Sequence, residues 1–145
     1  MPAEIVALHL TPQSRAPVRR VERVEALLEQ GLAGNRHTRA ASRRQVLLID
    51  EETLAQFALE PGQVREQVTV RGLDLNGLPF GTRLAAGTAV LELAGPCAPC
   101  ERMNEIRPGL RATLQGRRGR FARVVRAGAF AVGDPLRVLA AVEPA

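Results

Sequence analysis

Apolar and polar positions alternate from the start of the chain. In EIVALHL, Ile5, Ala7 and His9 fall on one face and Val6, Leu8 and Leu10 on the other, and the turn cluster TPQSRAP follows, which predicts a first strand. The next stretch, VRRVERVEALLEQG, reads two ways. Val18, Val21, Val24, Leu27 and Leu28 fit a helical stripe, whereas Val24, Ala26 and Leu28 alternate as in a strand; the period alone slightly favours helix. In RQVLLIDEETLAQFALEPG, the run VLLI predicts a buried strand. Asp50 is placed to N-cap a short helix with Glu51 and Glu52 in its first turn, ending before Pro61-Gly62.

From Pro61 to Gly95 the pattern shortens. VREQVTV, RGLDLNGLPFG, TRLAAG and TAVLELAG predict short strands separated by turns, with Gly72, Gly77, Gly81, Gly87 and Gly95 spaced as in a small barrel or sandwich. ERMNEIRPGLRATLQG is rich in helix formers, and Pro108 is best placed at the start of a second short helix. GRFARVVRAG and AFAVGDPLRVL predict two strands joined at Gly128, with Gly133-Asp134-Pro135 as a turn. The pattern predicts one mainly β domain over residues 1–145, a β-rich α+β fold with two or three short helices.

Composition narrows the function classes. A 145-residue chain, 46% hydrophobic, can bury roughly 70% of its unfolded surface and needs no staples to fold. No apolar run approaches the ~20 residues of a membrane-spanning helix, and the start MPAEIVALHL carries Glu4 and no basic region. The expectation is a cytoplasmic protein with no membrane contact. Net charge is +5, and all twenty basic residues are Arg, which suits bidentate binding of phosphate or carboxylate. Nucleic acid is the rival, suggested by Arg19-Arg20, Arg43-Arg44 and RRGR at 117–120. Four Phe, no Tyr and no Trp leave few stacking platforms, so nucleic acid is not the expected partner.

Both cysteines stand in GPCAPCERM, at 97 and 100. A zinc site needs four ligands, and beyond this pair the chain offers only His9 and His37 at no paired spacing. A Cys97/Cys100 dithiol would suit a thioredoxin-like motif, but that fold alternates strands with long helices. The third reading is a single working thiol. Cys100 follows Pro99 and precedes Glu101-Arg102 near a predicted helix start, and both the arginine and the helix start favour thiolate, able to ligate a soft metal or carry a persulfide. The alternative for either cysteine is a small buried hydrophobe.

Four ordered stretches together resemble the MOSC domain, the module named from the C-terminal domain of molybdenum cofactor sulfurase, in a short standalone form. GLAGNRH at 31–37, followed by SRRQVLLID, resembles the family's Gly-Leu-x-Gly-Asp-Arg-His/Tyr stretch. PGQVREQVTVRGLDLNGLPFGTRL resembles its Gly-Glu-Asn segment, LELAGPCAPCERM its strand leading to Pro-Cys, and RVVRAGAFAVGDPLRV its closing hairpin with Gly-Asp. Asn35 stands where Asp is usual, and Gln67 where Asn is usual.

The resemblance implies a barrel-like fold and makes VERVEALLEQG a strand. It implies binding of the pterin-based molybdenum cofactor, sulfur transfer, or both, through the thiolate of Cys100 as catalytic residue and molybdenum ligand. It names Arg36, His37 and Glu66 as candidate cofactor contacts, with Glu66 equally readable as a structural hydrogen-bond acceptor, and Arg102, two residues beyond Cys100, is a further candidate anion or pterin contact. The implied partners are a separate cysteine desulfurase or an electron-donor protein, with a small-molecule substrate if the protein is a reductase. Two other classes stay open: a basic binding or carrier module without chemistry of its own, and a Cys97/Cys100 dithiol oxidoreductase.

Overall fold

A computed structural model describes residues 3–12, 17–35, 45–96 and 102–139. Its strands are β1 (Ala3–Leu10), β2 (Arg19–Val21), β3 (Arg23–Leu27), β4 (Gly31–Leu32), β5 (Val46–Asp50), β6 (Val68–Arg71), β7 (Arg83–Ala86), β8 (Ala89–Pro96), β9 (Arg120–Arg126), β10 (Gly128–Ala131) and β11 (Pro135–Val138). Three short helices join them: α1 (Glu51–Gln56), α2 (Arg102–Ile106) and α3 (Leu110–Thr113). No helix among the described residues is long and apolar enough to cross a membrane.

Strand order β11-β7-β8-β9-β5-β6-β1 closes on itself, because β1 also pairs with β11 through Ala3↔Leu136 and Glu4↔Pro135. The result is a mixed β-barrel, which settles the choice between barrel and sandwich. Closure removes most of the free edge that a small open sheet exposes. Alternate residues point inward, with the phase shifted in β1 by a register break between Ile5 and Ala7, so Ile5, Leu8, Val46, Leu48, Val68, Val70, Leu84, Leu91, Leu93 and Val124 fill one apolar core. A second sheet, β10-β3-β4, lays Val24, Ala26, Leu32 and Phe130 on the same core.

The stretch for which the apolar period favoured a helix is strand, as β2 and β3. Along β3, Arg23 and Glu25 are exposed while Val24 and Ala26 are buried, and pairing with β10 and β4 fixes that alternation. Tertiary pairing overrides the helical stripe. Beyond Arg71, RGLDLNGLPFG is one of the glycine turns of this run. Asp74 caps a short 3-10 turn, Leu75–Gly77, by accepting the Asn76 N–H at 3.2 Å, and only Leu75 of that turn is buried. VREQVTV is strand only from Val68 onward. Pro108 lies one residue before Gly109, which precedes α3 with a left-handed φ of 84°.

All barrel pairs but one are antiparallel; β5 and β6 run parallel, so the chain must cross over between them. That crossover carries α1 and the loop 57–67 and lies outside the barrel. Asp50 caps α1 as its sequence predicts, its Oδ2 accepting from the Thr53 amide at 3.0 Å and hydroxyl at 2.7 Å. The crossover, α2 and α3 form a second apolar cluster of Ile49, Leu54, Leu59, Val64, Met103, Leu110 and Leu114. Strand β5 is therefore buried on both faces, which explains its unbroken apolar run.

Candidate functional site

The crossover loop holds two of the three described non-glycine residues with positive φ, Ala58 and Arg65, together with a fully buried carboxyl. Gly62 has φ +88° and Arg65 has φ +65°, a left-handed conformation that an arginine adopts at a cost. Two backbone turns shape the loop: the Gln63 N–H donates to Glu60 O at 3.1 Å and the Arg65 N–H to Gly62 O at 3.0 Å. The Gln63 side chain adds a third bond, accepting the Glu60 N–H at 3.0 Å.

Glu66 closes this loop and is completely buried. Its Oε2 accepts two hydrogen bonds, from the Gly62 N–H at 2.8 Å and the Thr69 hydroxyl at 2.8 Å. Its Oε1 has no hydrogen-bond partner among the described residues. Burial pushes the carboxyl above the usual glutamate range, and the Gly62 N–H, the Thr69 hydroxyl, its own backbone N–H and the Arg118 guanidinium offset only part of that. Arg118 is itself buried and donates to Val64 O at 3.1 Å, tying the loop to the chain before β9.

His9, on β1, stands behind Gly62. It is buried, and its Nδ1 has no hydrogen-bond partner among the described residues. A side chain at Gly62 would begin 2.7 Å from His9 Nε2, so only glycine fits between the imidazole and the loop. Burial first and Arg20 second hold the imidazole below its usual pKa. In front of the loop, Val18, Gly62, Gln63, Arg65, Met103, Glu105 and Ile106 line a cavity of about 360 Å³ between the crossover and α2. Its size lies in the range of small-molecule sites.

The sequence-predicted residues divide into two groups. Cys97, Cys100, Arg36 and His37 lie outside the described residues. Glu66 is described above, and Arg102 is the first residue of α2, the helix whose Met103, Glu105 and Ile106 reach the cavity. The chain enters the cysteine segment from Ala94, whose carbonyl accepts both Arg120 Nε at 3.0 Å and Nη2 at 2.7 Å. Arg120 Nη1 also donates to the carbonyls of Leu75 and Leu78. The end of β8 is thereby anchored to the barrel wall.

Both departures from the family pattern have visible partners. Asn35 Oδ1 accepts the Thr11 N–H at 2.7 Å, an acceptor role that Asp would share. Gln67 Oε1 accepts the Leu47 N–H at 2.7 Å, and its Nε2 donates to Thr11 Oγ1 at 3.2 Å. Both side chains thus meet at Thr11. Sequence reasoning missed His9, Thr69, Arg118 and Arg120 as site supports. His9 alone left a signal, as an imidazole in an otherwise apolar strand. No group of three or more His, Cys, Asp or Glu among the described residues is placed to hold a metal ion.

The sequence matches the MOSC domain family over residues 33–137, a span that includes the crossover, the cysteine segment and α2. The chain belongs to the MOSC domain family. Solved structures agree on the fold. This MOSC domain superposes on the YuaD protein from Bacillus subtilis with a TM-score of 0.75 and 21% identity, over 94% of each chain. It superposes on YiiM from Geobacillus stearothermophilus with a TM-score of 0.79 and 20% identity, over 96% of this chain and 76% of YiiM. For YiiM from Escherichia coli the TM-score is 0.74 at 18% identity, over 97% of this chain and 72% of that one. Identities this low carry the fold alone. Among curated proteins none matches in sequence.

Proposed function

We propose that this MOSC domain holds the pterin-based molybdenum cofactor, or a sulfane sulfur destined for it, with Cys100 as the working thiolate. The observation that carries the reading is the cavity of about 360 Å³ between the Gly62–Arg65 loop and α2, the helix that follows Cys100 in the chain. The described residues fit such a group: the lining combines one arginine, a glutamine, a carboxylate and an apolar wall of Val18, Met103 and Ile106. Cys100 supplies the soft donor that molybdenum favours, and Arg36, His37 and Arg102 supply cationic or hydrogen-bonding contacts to pterin and phosphate. Glu66 belongs to the support of that wall. When bound, the cofactor supplies a redox-active metal centre.

In the sulfur-carrying form, the Cys100 thiolate attacks the outer sulfur of a donor persulfide. The donor's sulfur–sulfur bond breaks, the donor leaves as a thiolate, and Cys100 keeps the transferred sulfur as a persulfide. The donor is a separate cysteine desulfurase; in the reductase form the partner is an electron-donor protein and the substrate a small molecule.

The test is molybdenum and pterin content after expression in a host that makes the cofactor, for the wild type, Cys100→Ser and Cys97→Ser. The proposal expects stoichiometric metal in the wild type and Cys97→Ser and none in Cys100→Ser. Metal absent from all three removes the ligand role. A mass increment of one sulfur on Cys100 after incubation with a desulfurase would then uphold sulfur carriage, and its absence would overturn the proposal entirely.

A further inference from the structure

Gly62, in the cavity wall, is gripped from two sides by side chains that do not line the cavity. The local turns of the loop leave the Gly62 N–H without a backbone acceptor, and Glu66 Oε2 takes it at 2.8 Å. On the opposite side the His9 imidazole occupies the space where any other residue's Cβ would stand, 2.7 Å from Nε2. We infer that Glu66 and His9 are positioning residues, which fix Gly62 and, through it, the Gly62–Arg65 wall that faces α2. The consequence for binding rests on the cofactor reading of the cavity; the positioning itself does not.

The chemistry of the two groups makes this grip proton-dependent. Glu66 is faced by Gly62 from the loop, Thr69 from β6 and Arg118 from the chain before β9; His9 is faced by Arg20 from β2. With Glu66 neutral, Oε2 is the acceptor for both donors and Oε1 carries the proton. That proton has no acceptor among the described residues, but ionisation is worse, because it leaves a full charge on the same buried and unpaired oxygen. The carboxylate then shifts against Gly62 and Thr69. At the acid end, a proton on His9 places a second cation near Arg20 and against the loop. The wall therefore holds its shape while both groups are neutral.

A purely structural pair would change stability and leave the wall where it is. The experiment follows the Glu66 carboxyl by carbon NMR and the Gly62–Arg65 amides by nitrogen NMR, from about pH 5 to about pH 9. The expected result is a Glu66 titration above its ordinary value, with the Gly62 and Arg65 amides shifting at the same midpoint. Glu66→Gln, a neutral isostere, is expected to abolish that step while keeping the Gly62 amide at its low-pH position. Glu66 titrating at its ordinary value, or amides that do not follow it, would overturn the inference. Gly62→Ala is expected to displace the His9 ring signals, and His9→Ala in the same chain to relieve part of the loss of folded protein. If the two changes are simply additive, the contact with His9 has no positioning role. A wild type that shows the coupled step yet binds no molybdenum upholds the positioning and overturns the cofactor reading.

Discussion

The barrel interior and the layer outside β1 and β6 solve the problem of buried polar groups in opposite ways. Inside the wall, Arg120 is a buried cation whose guanidinium donates to three carbonyls, those of Ala94, Leu75 and Leu78, at 2.7–3.0 Å. Outside it, Glu66 Oε1 and His9 Nδ1 are buried with no hydrogen-bond partner among the described residues, beside an arginine held at a left-handed φ. The satisfied arginine secures a fold. The unsatisfied acid and imidazole stand behind the wall of a cavity, and unsatisfied buried groups and strained backbone are retained where a site needs them.

The largest effect expected is at Arg120. Arg120→Leu leaves three buried carbonyls without their donor and should cost about 4 kcal/mol, read as a lower midpoint in urea unfolding. Leu91→Ala, at a fully buried core position, should cost about 3 kcal/mol in the same assay. Gly62→Ala comes next, at about 2 kcal/mol, because alanine is strained at a left-handed φ and its Cβ meets His9. If it costs nothing, the crossover loop is softer than the geometry requires.

The pH dependence sharpens the contrast further. The native Glu66 carboxyl binds its proton more tightly than in the unfolded chain. Above the ordinary value of 4.5 the native state therefore holds a proton that the unfolded state has lost, and stability falls as pH rises. Glu66→Gln should flatten that fall. For His9 the sign reverses: the imidazole is held neutral, so its contribution is complete above the ordinary value of 6.5 and declines as pH drops through the lowered native value. Unfolding midpoints across pH check both slopes. The smallest effect belongs to the surface. Arg83 and Arg123 flank Glu92 at 3.1 Å each, but the arginines are 43% and 32% exposed, and Arg83→Ala should cost less than about 1 kcal/mol.

The barrel was largely legible in the chain, because alternation along TAVLELAG and the first part of EIVALHL records one covered face and the unbroken run VLLI records a strand covered on both. Asp50 and its two glutamates marked α1 for the same local reason. The stretch at 18–30 shows the limit of periodicity: its valines are spaced for a helix, only the family resemblance made it a strand, and pairing with β10 and β4 makes it one. RGLDLNGLPFG, within the run read as short strands and glycine turns, is a turn, because the Asp74 cap competes with strand pairing. Of the candidate site, Glu66 was legible through the family motif, but its partners were not. Gly62, Thr69, His9 and Arg118 come from a loop and three other parts of the chain, and it is the antiparallel pairing of β1 with β6, strands far apart in sequence, that brings His9 to the loop. A single histidine in an apolar strand carries no record of which glycine it will touch.

The central claim is that the barrel holds the fold while the crossover layer holds the ligand. It is tested most directly by the molybdenum bound per folded molecule in Glu66→Ala and in Leu91→Ala, each prepared from a cofactor-making host. The account predicts that Leu91→Ala lowers the unfolding midpoint yet keeps wild-type metal per folded molecule, whereas Glu66→Ala loses about tenfold or more of its metal. Metal content that falls in step with stability in both variants, or that stays at the wild-type level in Glu66→Ala, would contradict it.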